Sequence, residues 1–212
     1  MRQEQNTLHC YNSTAAAYAR DFINELDGKP LDRLLLQQFA QTHLDKGLVG
    51  DLGCGPGQTT FFLHQAGLRQ LLGIDLSPRM IEQAKQLSEG RAHFACANML
   101  QLPYPDEHFG GLIAFYAIVH LDLNELPQLF AEIKRVLRSA GQFFFSFHVG
   151  EGVVSLDEFL GQSVQINFNY FDPDAVLTIA NATGFKTVEA LIRYPYEGLE
   201  YPSKRAYIKL TH

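Results

Sequence analysis

The chain has 212 residues, of which 46% are hydrophobic and 19% charged, with 3 cysteines and a formal net charge of -6. That length and apolar content suffice for one substantial core, so a single domain over residues 1–212 is expected. The acidic balance, without a lysine or arginine block, excludes a phosphate-backbone partner such as nucleic acid, and the lack of a long apolar run excludes a membrane span.

Residues 1–6 lack the apolar core of an export signal, and a cytoplasmic protein is therefore expected. Cys10, Cys54 and Cys96 are too scattered for a disulfide framework and read as small apolar fillers. Apolar spacing then predicts a helix over 11–26, with Tyr11, Ala15, Tyr18, Phe22 and Leu26 on one face, and a second over 31–43 beyond Lys29 and Pro30. Residues 48–52 read as a first strand, 59–66 as a helix ended by Gly67, and 71–74 as a second strand. Ser77 and Pro78 suit the N-cap and first position of a helix reaching residue 87.

A third strand is expected over 92–97 and a fourth over 111–116. A helix over 125–137 carries Leu126, Leu129, Ile133 and Leu137 on one face, and Ala140-Gly141 stops it before a phenylalanine-rich buried strand over 142–148. Residues 150–171 read as a flexible segment. Asp172-Pro173 opens a last helix closed by Gly184, and two strands follow over 185–192 and 205–210. Repeated strand–helix units imply an α/β fold with a parallel sheet between two helical layers. The final two strands, joined without a helix, should pair antiparallel.

The first strand runs into Asp51-Leu52-Gly53-Cys54-Gly55-Pro56-Gly57, and the second ends at Asp75. Strand, glycine turn, helix and a second strand ending in an acid is the layout of an adenosine-binding half-Rossmann unit, with the acid on the ribose hydroxyls. A dinucleotide turn would need glycine where Gln58 stands, and Asp51 suits a cationic amino group better than a phosphate.

These residues resemble the first two motifs of the class I S-adenosylmethionine-dependent methyltransferases. Leu102-Pro103-Tyr104-Pro105-Asp106-Glu107-His108-Phe109 resembles the Leu-Pro-Phe-Pro-Asp-x-x-Phe loop of their small-molecule members. The resemblance spans roughly residues 11 to 210. It implies a Rossmann-like three-layer sandwich with a seven-stranded, mostly parallel sheet and an antiparallel last strand. It also implies S-adenosylmethionine as cofactor, S-adenosylhomocysteine as product, and a small-molecule acceptor.

Ligands in such sheets bind outside the carboxyl ends of the strands. The resemblance gives Asp51 the cofactor's amino group, Gly53, Gly55 and Gly57 its backbone-facing edge, and Asp75 the ribose diol. Leu76 and Met99 would sandwich the adenine, Asn98 would accept from its amine, and Met80, Phe115 and Tyr116 complete the set. A helix bearing Tyr11 and Tyr18 would cover the methionine end. Two departures stand out: Asn98 replaces the family's usual aspartate, and Gly110 another at the entry to the fourth strand. Residues 1–45 would form a helical lid and 150–171 a substrate-side insertion rich in aromatic groups.

His120 and His148, after the fourth and fifth strands, are candidate bases for an acceptor that must lose a proton, or else line the cleft. His120-Leu121-Asp122 offers two ligands without a third, so no metal is expected. Two other functions stay open: a nicotinamide-dependent oxidoreductase, and a non-catalytic S-adenosylmethionine-binding protein. Oligomeric state is not set by the sequence.

Overall fold

The structure, a computed structural model, describes residues 2–212. Helix α1 (Arg2–Phe22), a 3-10 turn (Glu25–Gly28) and α2 (Pro30–Thr42) precede the alternating units. These are β1 (Val49–Leu52), α3 (Gln58–Gln65), β2 (Leu71–Asp75), α4 (Pro78–Ser88), β3 (His93–Cys96), β4 (Phe109–Phe115), α5 (Leu126–Val136) and β5 (Leu137–Val149). A hairpin, β6 (Val153–Phe159) and β7 (Gln162–Asn169), leads to α6 (Pro173–Ala182), β8 (Lys186–Arg193) and β9 (Lys204–Thr211).

The main sheet has seven strands in the order β3-β2-β1-β4-β5-β9-β8. Six run parallel and β9 is reversed, pairing antiparallel with both β5 and β8. The reversed strand thus lies one place inside the edge, because β8 passes outside it. Strand order reverses between β1 and β4, which opens a crevice at their carboxyl ends.

Period-two alternation explains the burial of the central strands on both faces. Leu112 and Ala114 of β4 and Phe143, Phe145 and Phe147 of β5 pack with Leu129, Phe130 and Ile133 of α5. The intervening Ile113 and Phe144 pack on the other face with Leu36 and Phe39 of α2. Each such side chain contributes roughly 1.5 to 3 kcal/mol by leaving water. Helix α2 is therefore a core layer and not part of a lid, as the expectation for residues 1–45 had it.

Other differences are local. Helix α1 begins nine residues earlier than its apolar spacing indicates, because its polar first turns are held by tertiary bonds: Glu4 accepts from Asn98 at 2.8 Å and Gln3 donates to the His120 carbonyl at 2.9 Å. Strand β5 reaches back to Leu137 through a bulge, with Leu137 opposite Phe109, Gln142 opposite Gly111, and Ala140 at φ 60°. Segment 150–171 is largely the β6–β7 hairpin, whose turn places Leu160 at φ 51° and Gly161 at φ 77°. Cys10 and Cys54 are buried as expected, but Cys96 is exposed, since β3 is the sheet edge.

Gly110 has a steric cause. A Cβ there would overlap the Lys46 carbonyl oxygen, beside which the Gly110 amide donates to Leu48 O at 2.8 Å. No aspartate fits at this strand entry, which lies at the end of the sheet opposite the crevice.

A cavity at the carboxyl ends of the strands

The crevice holds a cavity of about 590 Å³. It is lined by every residue proposed for the site except Gly57. Gly57 instead sits at the N-cap of α3 with φ 98°, where a Cβ would press on the Phe61 ring. Its role is to turn the chain into the helix.

Gly53 and Gly55 make the turn itself, at φ 67° and 54°. The Gly53 and Cys54 amides donate to Ile74 O at 2.7 and 3.1 Å, tying the turn to β2. A Cβ on Gly53 would strike Ala117, whereas Gly55 looks toward the cavity with Gln58 Oε1 and the Tyr18 ring beyond 3.5 Å. Asp75 closes the arrangement: its Oδ2 accepts from the Gly55 amide at 2.9 Å and its Oδ1 from Ser77 at 2.8 Å. Each oxygen keeps a second acceptor site for hydroxyls. Burial raises the Asp75 carboxyl above its ordinary range, against the pull of these two amides.

Asp51 is 1% exposed and accepts from the Thr60 hydroxyl at 2.6 Å. Burial pushes its carboxyl up to about 7, with the Thr60 bond opposing and the Asp75 charge adding. A bound ammonium group favours the carboxylate, so cofactor binding below pH 7 is expected to release close to one proton. Affinity should then rise with pH until it levels off above about 7, by at most roughly tenfold per unit. Calorimetry in buffers of different ionisation enthalpy measures the release, and its absence at pH 6 would detach Asp51 from the ammonium.

Gln58 was read from the sequence only as a missing glycine. Its Nε2 donates to Glu25 at 3.0 Å, while its Oε1 is buried with no partner. An unpaired acceptor beside Asp51 and Asp75 suits a donor on the ligand. Together these groups fit S-adenosylmethionine, with acceptors for an ammonium and a diol, and would repel a pyrophosphate.

Met80 is buried beneath the turn, and Leu76 and Met99 line the same wall. Asn98 is engaged at both ends, donating to Glu4 and accepting from the Leu100 amide at 2.9 Å, which competes with its expected bond to adenine. Phe115 stacks edge-on to Phe144 at 5.1 Å between ring centres. Tyr116 stands at φ 54°, an uncommon conformation for a bulky residue, and is fixed there by its amide on Ser146 and its hydroxyl on Asp32 and Tyr207 at 3.0 and 2.8 Å.

Helix α1 and the hairpin roof the cavity. Cys10 and Tyr11 pack with Val164, Ile166 and Phe168 in a small apolar cluster. On the other side Ser77 Oγ donates to Asn12 at 2.7 Å. Tyr18 packs on Phe22 with ring centres 4.6 Å apart.

Under this roof Tyr11 Oη and His120 Nε2 lie 2.7 Å apart, and His120 Nδ1 lies 3.1 Å from Asn167 O. The carbonyl requires a proton on Nδ1, which leaves Nε2 to accept from the tyrosine. Burial lowers the His120 pKa to about 4, so the ring is neutral at physiological pH. His148 is held by Ser203 Oγ at 2.7 Å from Nδ1, and burial with the Arg205 and Lys29 charges also lowers it to about 4. Among the described residues no group of three or more His, Cys, Asp or Glu is placed to hold a metal ion.

A family model described as a methyltransferase domain matches residues 50–145. The O-methyltransferase cnsE of Penicillium expansum is 28% identical over 149 residues, covering 66% of this chain and 52% of that protein. The malonyl-[acyl-carrier protein] O-methyltransferase of Serratia marcescens is 32% identical over 132 residues, 62% of this chain and 46% of that protein. The chain thus spans about half the length of these curated relatives. Among solved structures, a SAM-dependent methyltransferase from Methanosarcina mazei aligns with a TM-score of 0.71 and 15% identity, covering 81% of this chain and 95% of that one. At that identity the likeness speaks for the fold.

Proposed function

We propose that the chain, whose residues 50–145 match a methyltransferase-domain model, is a class I S-adenosylmethionine-dependent methyltransferase that transfers a methyl group to a small-molecule acceptor in the cavity. The observation that carries this reading is one cavity lined by both the Gly55–Asp75 turn and the Tyr11–His120 pair. When bound, S-adenosylmethionine supplies a methyl already activated for in-line displacement. The protein then has to hold, orient and, for a protonated acceptor, remove a proton.

Asp51, Gln58 and Asp75 hold the ligand; Leu76, Met80, Asn98 and Met99 bound its adenine side. Tyr11 and His120 handle the proton. An acceptor hydroxyl or amine beside Tyr11 Oη gives up its proton to that oxygen as the tyrosine proton moves to His120 Nε2, with Asn167 O steadying the imidazolium through Nδ1. Positioning within the cavity contributes a further rate factor, up to roughly 7 to 11 kcal/mol in well-held pairs. His148, with Nδ1 on Ser203 and cations nearby, orients the acceptor and is a poorer proton sink.

The roof that α1 and the hairpin place over the cavity supports a small acceptor. The acidic net charge of -6 supports a partner other than nucleic acid, and we place the protein in the cytoplasm. No helix among the described residues is long and apolar enough to cross a membrane.

Titration with S-adenosylmethionine and, separately, with a nicotinamide dinucleotide tests the cofactor, and transfer of labelled methyl from the first into a metabolite extract tests the chemistry. Binding of the dinucleotide alone would reverse the reading. Tight binding of S-adenosylmethionine without transfer to any fraction would make the chain a binding protein.

A further inference from the structure

Away from the glycine turn the cavity is walled by His148, Glu200, Tyr201 and Arg205. Arg205 sits at the start of β9, in register with His148 of β5. In the sheet β9 is three spacings from β1, roughly 14 Å at about 4.8 Å each. It lies beyond the part of the cavity that Asp51 and Asp75 line.

Arg205 is only 3% exposed. Its Nη1 donates to the carbonyls of Tyr201 and Ser203. Its Nε is fully buried without a hydrogen-bond acceptor. Glu200 Oε1 is 3.3 Å away, but both Glu200 oxygens already accept from Arg193, at 2.6 and 2.7 Å. Nη2 has no acceptor among the described residues. A buried guanidinium with unfilled donors is unfavourable until an acceptor arrives.

Elsewhere on the wall the acids are served: Glu25 by Lys29 and Gln58, Asp51 by Thr60, Asp75 by two backbone amides. The Arg205 and Lys29 charges outweigh Glu200 at His148, whose proton affinity they depress. The far end of the cavity thus combines a buried guanidinium that has an unfilled donor with the aromatic rings of Tyr116 and Tyr201.

We propose that the methyl acceptor is an aromatic or similarly flat acid whose carboxylate is anchored by Arg205, with the methylated atom a separate group reaching Tyr11 and His120. This rests on the methyltransferase reading above. Nη1 serves two carbonyls and Nε faces Glu200, so Nη2 is the donor left for a ligand, and it suits one carboxylate oxygen better than a phosphate dianion.

The test uses protein saturated with S-adenosylhomocysteine and titrated calorimetrically with benzoate, its neutral isostere benzamide, and phenyl phosphate. Benzoate should bind at least about tenfold tighter than benzamide, and Arg205→Gln should abolish that preference while the affinity for S-adenosylhomocysteine changes less than about twofold. Equal affinity for benzoate and benzamide, or no binding of either, in the unaltered protein overturns the proposal without recourse to a variant that disturbs Glu200. A preference for phenyl phosphate overturns the monoanion. Failure of S-adenosylhomocysteine itself to bind would strike the methyltransferase reading instead.

Discussion

Replacing Asp75 with alanine is expected to weaken S-adenosylhomocysteine binding by about 2 to 4 kcal/mol, roughly 30- to 1,000-fold. Two hydrogen bonds to a charged acceptor are lost, each contributing about 1.5 to 3 kcal/mol and not additive. The turn also loosens, because the Gly55 and Ser77 amides that now donate at 2.9 and 2.8 Å are left without their partner. Asp75→Asn separates the two effects. It keeps one carbonyl oxygen for an amide and so most of the fold's stability, yet it loses the charge that grips the diol. Calorimetric affinity together with thermal unfolding measures both, and an Asp75→Ala protein with unaltered affinity would mean that the sugar end lies elsewhere.

The transfer rate is expected to fall by about 10² to 10⁴ in His120→Ala for an oxygen or nitrogen acceptor, with cofactor affinity unaffected. Tyr11→Phe should cost a similar factor, and the double variant should be no slower than the slower single one, since both act on one proton. The pH profile carries independent information. His120 has a pKa lowered to about 4, so it is neutral and able to accept a proton above that value and loses the ability only as the pH falls through it. With S-adenosylmethionine saturating at every pH, so that the Asp51 titration near 7 does not enter, the rate should therefore be flat from about pH 6 to 8. An inflection near the ordinary histidine pKa, or losses that simply add, would return the ring to a lining role.

Much of the platform was legible because each strand carries its own signal: phenylalanines and β-branched residues in short runs, glycine punctuation, and Ser77-Pro78 as an N-cap that indeed accepts from the Met80 amide at 3.1 Å. The glycine turn and Asp75 were legible for the same reason, being local in sequence. What escaped was non-local. Nothing near Gln58 announces Glu25, 33 residues away, and nothing near His120 announces Tyr11 or Asn167, 109 and 47 residues away. The cluster of Asp32, Arg193, Glu200 and Arg205 forms only when α2 meets the β8–β9 end of the sheet.

The hairpin is a different case. Val164, Ile166 and Phe168 alternate as a strand should, with Leu160-Gly161 as a two-residue turn ahead of them. Its signal was present in that alternation, although the sequence reading treats 150–171 as a flexible segment.

Helix α1 and that hairpin share an apolar cluster, joined to the platform's interior through Phe168, which packs against both. Polar links such as Asn12 to Ser77 and Glu4 to Asn98 also hold this roof to the platform. Water can replace such links at little expense, whereas prying open the interior would not be tolerated. On the proposed reading, reactants and products would pass by movement of this roof and not of the sheet beneath it.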